Sequence, residues 1–107
     1  MTKRARPIAE IPTLVAERLV MWGRCIRTQR VSQNITAHAL CERLDISRPT
    51  LLRMEQGEGN VNAALYLGAL HAVGVLAMAV PELDPALWQM EHWDKRARAG
   101  TDDDEYF

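Results

Sequence analysis

The chain has 107 residues, 48% of them hydrophobic and 25% charged. That is enough apolar material for one compact domain, and no apolar run approaches the roughly 18–20 residues of a membrane span. The formal net charge is only −1, yet residues 1–53 hold ten Lys/Arg against four Asp/Glu (+6), and residues 54–107 hold three against ten (−7). So divided a chain is expected to meet a polyanionic partner on one face only.

Residues 1–12 read as a basic N-terminal arm, with Lys3, Arg4 and Arg6 ahead of Pro7 and Pro12. No apolar export block follows, so a cytoplasmic protein is expected. From Thr13, a plausible N-cap, a helical period begins and runs to about Arg30, with Leu14, Val15, Leu19, Met21, Trp22 and Ile26 favouring one broad side. Ser32-Gln33-Asn34 breaks the pattern. Thr36 then caps a short helix, Ala37 to Leu44, with Leu40, Cys41 and Leu44 inward. After Asp45-Ile46, Ser47 caps a third helix over residues 48–56. Pro49 fits there because the first turn of a helix has amides without intrahelical acceptors, so a missing N–H costs little. Gly57 suits the left-handed position that ends a helix.

Asn60 or Asn62 can cap a fourth helix, roughly Ala63 to Val73, with Leu65, Leu67, Leu70 and Val73 among its apolar positions, closed by Gly74. Val75 to Val80 makes a short fifth helix before Pro81. Asp84-Pro85 starts a further helix through Trp88, with Arg98 as its furthest extent, and Asp102–Glu105 forms an acidic tail. No alternating strand pattern occurs. The expected fold is all-α, with residues 13–80 as the domain and 81–107 as a C-terminal extension and tail.

Two short capped helices joined by a tight turn are the pattern of a helix-turn-helix. Its second helix has to fit a DNA major groove about 12 Å wide, and only its N-terminal half must reach base edges, so it can be short. Helical spacing puts Arg48, Pro49, Thr50 and Arg53 outward, while Ile46, Leu51 and Met54 hold the helix to the body. The two parallel donors of an arginine match guanine O6 and N7. Read from spacing alone, Arg48 and Arg53 serve equally well as solvated surface charges.

In these residues the chain resembles the XRE, or lambda-repressor-like, helix-turn-helix family. Trp22-Gly23 with Ile26 and Arg30 is similar to the family's first-helix signature. The run ITAHALCERLDISRPTLLRMEQGEGN is similar to its capped helix, turn, Ser-Arg-x-Thr helix and Glu-x-Gly exit. The resemblance spans about residues 19–80 and implies a five-helix DNA-binding domain followed by a short helical extension. It further implies that Arg30 and Glu55 form an internal ion pair. There are departures. Ala37 stands where the family often has a phosphate-contacting Gln, and Asp45 where it has a turn glycine. Leu52 stands where a polar residue is common, open to a thymine methyl or to a neighbouring element.

The later run, RPTLLRMEQGEGNVNAALYLGALHAVGVLAMAVPELDP, is similar to the HipB-like antitoxins. That subgroup implies a homodimer on a palindromic double-stranded DNA operator, repression of its own operon, and a HipA-type kinase toxin held inactive. Stand-alone XRE repression is the alternative, and a protein-only interaction module, favoured by Ala37 and Leu52, is a third.

On this reading Arg48, Pro49, Thr50 and Arg53 read bases, with Pro49 pressing on a methyl. Thr36, Ser47, Asn60 and Asn62, with the amides near Gly57 and Gly59, meet the phosphates. Lys3, Arg4 and Arg6 add non-specific attraction, enter the minor groove, or remain a solvated tail. The dimer surface is expected from Leu65 to Val80 with Trp88, Met90 and Trp93, whose other reading is a satellite core against the first helix.

No enzyme is expected. There is no nucleophile–base pair at helical proximity and no phosphate-cradling glycine loop after a strand. Cys25 and Cys41 read as small buried thiols, and with His38, His71 and His92 scattered there is no metal-ligand spacing. Accordingly no catalytic residue, metal or cofactor is expected.

Overall fold

The computed structural model describes residues 11–90. Among these residues there is no strand. Five α-helices follow one another: α1 (Thr13–Ser32), α2 (Ala37–Leu44), α3 (Arg48–Glu55), α4 (Ala63–Ala72) and α5 (Leu76–Ala79), with a 3-10 turn at Pro85–Leu87. None of the helices is long and apolar enough to cross a membrane.

Local chemistry places most of the helix ends. Thr36 Oγ1 accepts the Ala39 amide at 3.0 Å, Ser47 Oγ the Thr50 amide at 3.3 Å, and Asn62 Oδ1 the Leu65 amide at 2.9 Å. Each cap satisfies one of the donors that a helix start leaves without a partner. α1 departs from expectation, because Thr13 is its first helical residue and not its cap. Pro12 holds the cap position with no side-chain bond, and its carbonyl accepts the Ala16 amide at 3.0 Å.

One device closes all four longer helices. Asn34, Asp45, Gly57 and Gly74 adopt positive φ angles of 61°, 58°, 80° and 85°. At each, the following amide reaches back to a carbonyl five residues earlier: Ile35 to Arg30, Ile46 to Cys41, Glu58 to Arg53, and Val75 to Leu70, at 2.9–3.1 Å. This is the Schellman closure, which turns the chain sharply and pairs otherwise orphaned carbonyls. Ile35, Ile46 and Val75, the residues just past three of these turns, pack against the core. The turn between α2 and α3 is therefore set by Asp45 in the left-handed region, a conformation that Asp tolerates better than most side chains.

The core joins Ile26 from α1, Leu40 and Cys41 from α2, Leu51 and Met54 from α3, and Tyr66, Ala69 and Leu70 from α4. α1 packs on α3 and α4, α2 on both α3 and α4, and α5 on α4. Cys41 is buried, Cys25 half-buried, and both are free thiols.

Three further expectations are corrected. Along α1 the buried residues are Gly23, Ile26 and Arg30, whereas Leu14, Val15 and Met21 are exposed; Leu19 and Trp22 pack partly against the core, and Met21 between them lies on the side turned away from it. In α4 the buried set is Tyr66, Ala69 and Leu70, with Leu65 and Leu67 only half-buried. Of the segment expected either as a dimer surface or as packing against the first helix, Tyr66, Ala69, Leu70 and Val73 are buried within this chain, and α4 packs on α1. Finally, the helix starting at Asp84-Pro85 stops at Leu87. Asp84 caps it, accepting the Ala86 amide at 2.9 Å, but Trp88 ends it and Gln89 and Met90 are not helical. Residues 81–90 are all exposed, and a short helix with no face to bury is unstable in water. Residues 91–98 lie outside the described part.

Candidate nucleic-acid interface

α3 is held to the body at one end and exposed at the other. Its C-terminal end is clamped against α1 by two close backbone approaches. A Cβ on Gly23 would lie 2.6 Å from the Met54 carbonyl oxygen and 2.7 Å from that of Glu55. One on Gly57 would lie 2.5 Å from the Val20 Cα. Glycine in the middle of a helix is unfavourable by roughly 0.5–1 kcal/mol relative to alanine. At Gly23 that cost is offset by letting the end of α3 sit directly on the α1 backbone. The sequence reading included Gly23 only within a signature. A lone glycine inside a long helical pattern was the available sign of this close approach.

An ion pair reinforces the clamp. Arg30 Nε donates to Glu55 Oε2 at 2.8 Å and Nη2 to Oε1 at 3.3 Å, while Nη1 donates to the Ile35 carbonyl at 3.1 Å. Arg30 is 8% exposed and the Glu55 side chain 6%. Neither residue is available to a ligand. Arg27, largely exposed, approaches Glu55 Oε1 at 3.8 Å.

The loop after α3 is tied down by Tyr66, which sequence reasoning did not single out. Its hydroxyl donates to the Glu58 carbonyl at 2.7 Å, and its ring lies 5.7 Å from that of Trp22, tilted by 52°. Burial, helped by the nearby charge of Glu58, pushes the phenol pKa up to about 12. A polar tip on a large apolar body was the available signal, since a buried tyrosine normally finds a partner for its hydroxyl.

Away from the clamp, Leu51 and Met54 point inward, and Arg48, Pro49, Leu52, Arg53 and Gln56 are exposed. Thr50 is half-buried, and its hydroxyl is engaged. Oγ1 lies 3.0 Å from Ser47 Oγ and accepts from Arg53 Nη2 at 3.3 Å. Thr50 therefore steers Arg53 as much as it faces outward. At about 1.5 Å per residue the eight residues of α3 span roughly 12 Å, comparable to the width of a major groove.

The expected backbone contacts are spread over several elements. Thr36 and Ser47 sit exposed at the starts of α2 and α3, and Asn60 is exposed in the loop after α3. Asn62 is exposed, and its carboxamide oxygen is occupied in capping α4. Lys3, Arg4 and Arg6 lie outside the described residues, as does Trp93. The large apolar side chains that do stand in the open past α4 are Met78, Leu83, Leu87, Trp88 and Met90.

A family model described as a helix-turn-helix domain matches residues 23–83, more than half of the chain. No curated protein and no solved structure matches it.

Proposed function

Because the chain belongs to the helix-turn-helix domain family, we propose that it is a transcriptional regulator that binds a specific double-stranded DNA operator through α3. The observation that carries this reading is the asymmetry of that helix. Its C-terminal end is locked to α1 by Gly23, Gly57 and the Arg30–Glu55 pair, while Arg48 and Arg53 stand in solvent on its outer side. A reader helix needs both halves of this arrangement, a fixed seat and projecting donors.

In the proposed complex the N-terminal half of α3 lies in the major groove. Arg48 and Arg53 pair with guanine O6 and N7, Pro49 lies against a base, and Thr50 contacts a base edge or holds Arg53 in place. The capped starts of α2 and α3, with Asn60 and Asn62, position the phosphates. A single α3 covers too few base pairs for useful selectivity. A homodimer on a palindromic operator, with half-sites about 34–36 Å apart, supplies the rest. Met78, Leu83, Leu87 and Trp88 support an apolar protein contact of this kind.

The finer reading is a HipB-like antitoxin in the cytoplasm that represses its own operon and holds a HipA-type kinase inactive. Its support is the resemblance of the α3–α5 run together with this apolar C-terminal surface. Kinase activity that is unchanged at saturating amounts of this chain reduces the reading to a stand-alone repressor.

DNA binding is tested by titrating a selected operator at rising salt. Affinity should fall steeply, because phosphate binding is driven by counterion release. Arg53→Ala should cost roughly 1–3 kcal/mol on that operator and flatten the preference at one base pair. Binding without sequence preference in the unaltered protein would refute operator recognition.

A further inference from the structure

We infer that Leu52 is a base-reading residue that seats against the C5 methyl of a thymine, so that the operator half-site carries thymine flanked by guanines. This rests on the reading of α3 as the helix that enters the major groove.

The argument starts from the order of side chains around α3. With 3.6 residues per turn, successive residues are about 100° apart. The exposed sector therefore runs Arg48, Leu52, Gln56, Pro49, Arg53 in angular order, all five open to solvent. Leu52 and Pro49, three residues apart and on either side of the Gln56 direction, give the sector between the two guanidinium groups its apolar part. An isolated surface leucine would call for no explanation. This one is 58% exposed on the face that carries both arginines, and the inward positions are already filled by Leu51 and Met54.

The chemistry of the groove then selects the target. Guanine presents O6 and N7 to the arginines on either side. Among the groups that base pairs display in the major groove, the thymine C5 methyl is the apolar one. Thr50, the other side chain with a methyl near this rim, has its hydroxyl committed to Ser47 and Arg53. The apolar contact falls to Leu52, with Pro49 beside it. Leu52 also discriminates by rejection. Against the cytosine N4 or adenine N6 amino group it would remove water and return no hydrogen bond, which is unfavourable. A polar residue at this position would read a hydrogen-bonding edge, and leucine changes what the helix recognises.

The test uses the full chain and unmodified DNA, where thymine is the source of such methyls. A duplex is selected from a random library, and each thymine in it is then replaced by uracil, which removes the methyl and leaves the pairing edge unchanged. Burial of one methyl-sized group corresponds to roughly a fourfold change in affinity per half-site. One uracil substitution should weaken binding by that factor. Leu52→Ala, which removes the contact from both half-sites of a dimer at once, should lose about the square of that factor on thymine DNA and become indifferent to the same substitution, with its melting temperature unchanged because the side chain is exposed.

Equal affinity for thymine and uracil at every position overturns the inference and leaves operator binding intact. So does a Leu52→Ala protein that keeps the full methyl effect. If Leu52→Ala dissociates an oligomer of the free protein, the side chain belongs to a protein contact and the inference fails. If no duplex is selected at all, operator recognition itself falls first.

Discussion

Alanine in place of Gly57 or Gly74 separates two penalties that glycine usually hides together. Both glycines end a helix in the same left-handed conformation, at φ of 80° and 85°. An L-residue in that region is disfavoured by roughly 1–2 kcal/mol, and about 0.4–1 kcal/mol is returned because alanine stiffens the unfolded chain. Gly74 has nothing within 4 Å of an added Cβ, so Gly74→Ala should cost about 1 kcal/mol. At Gly57 the same Cβ meets main chain: the Val20 Cα at 2.5 Å, the Val20 nitrogen at 2.7 Å and the Leu19 oxygen at 2.8 Å. Backbone cannot rotate away as a side-chain tip does. An overpacking cost of roughly 1–3 kcal/mol therefore adds to the conformational one, for a total of about 2–4 kcal/mol. At about 4–8 °C per kcal/mol for a domain of this size, thermal unfolding should place Gly57→Ala well below Gly74→Ala. Because α3 must lift off α1 to admit the methyl, Gly57→Ala should also weaken operator binding, and Gly74→Ala should not. Equal losses of stability, within about 0.5 kcal/mol, would refute the claim that close approach to α1 is what demands glycine there.

Arg30→Met should destabilise by roughly 3–5 kcal/mol by stranding the buried Glu55 carboxylate. Adding Glu55→Leu should recover most of that, since a well-packed apolar pair often equals a buried ion pair. A chemical-denaturation cycle in which the two losses simply add would show that the pair is not coupled. Tyr66 predicts an alkaline limit. Its folded pKa, about 12, lies above its ordinary value of 10.0, so the folded state holds the phenol proton more tightly. Stability should be flat below pH 10 and fall as pH rises toward 12, by on the order of 2–3 kcal/mol in all. Tyr66→Phe should abolish that decline while costing about 1–2 kcal/mol at neutral pH, as the Glu58 carbonyl loses its donor. A decline that persists in Tyr66→Phe would assign it to other groups.

Much of the fold is legible from short-range chemistry. Thr36, Ser47 and Asn62 cap their helices through bonds to amides three residues on, and such bonds form wherever the local chain can reach them. Gly57 and Gly74 end theirs by the same logic, as does Asp45 in the turn. The spacing of Arg48 and Arg53 likewise fixes their relation to each other around α3 before any neighbour is known. That is why the rim of the candidate site could be read from eight residues.

Other features depend on contacts between residues far apart in the chain, which no local pattern encodes. α1 carries apolar residues on nearly every side, and only the crossing of α3 and α4 decides that Ile26 is buried while Leu14 and Met21 are not. Tyr66 is interior because Trp22 and the Glu58 carbonyl surround it. Asp84-Pro85 is as good a helix start as Ser47-Arg48-Pro49, yet it yields one 3-10 turn, because residues 81–90 have no core to lie on. Start signals set where a helix can begin; burial of a face against another element, which is a property of the assembled chain, sets whether it continues and which way it looks.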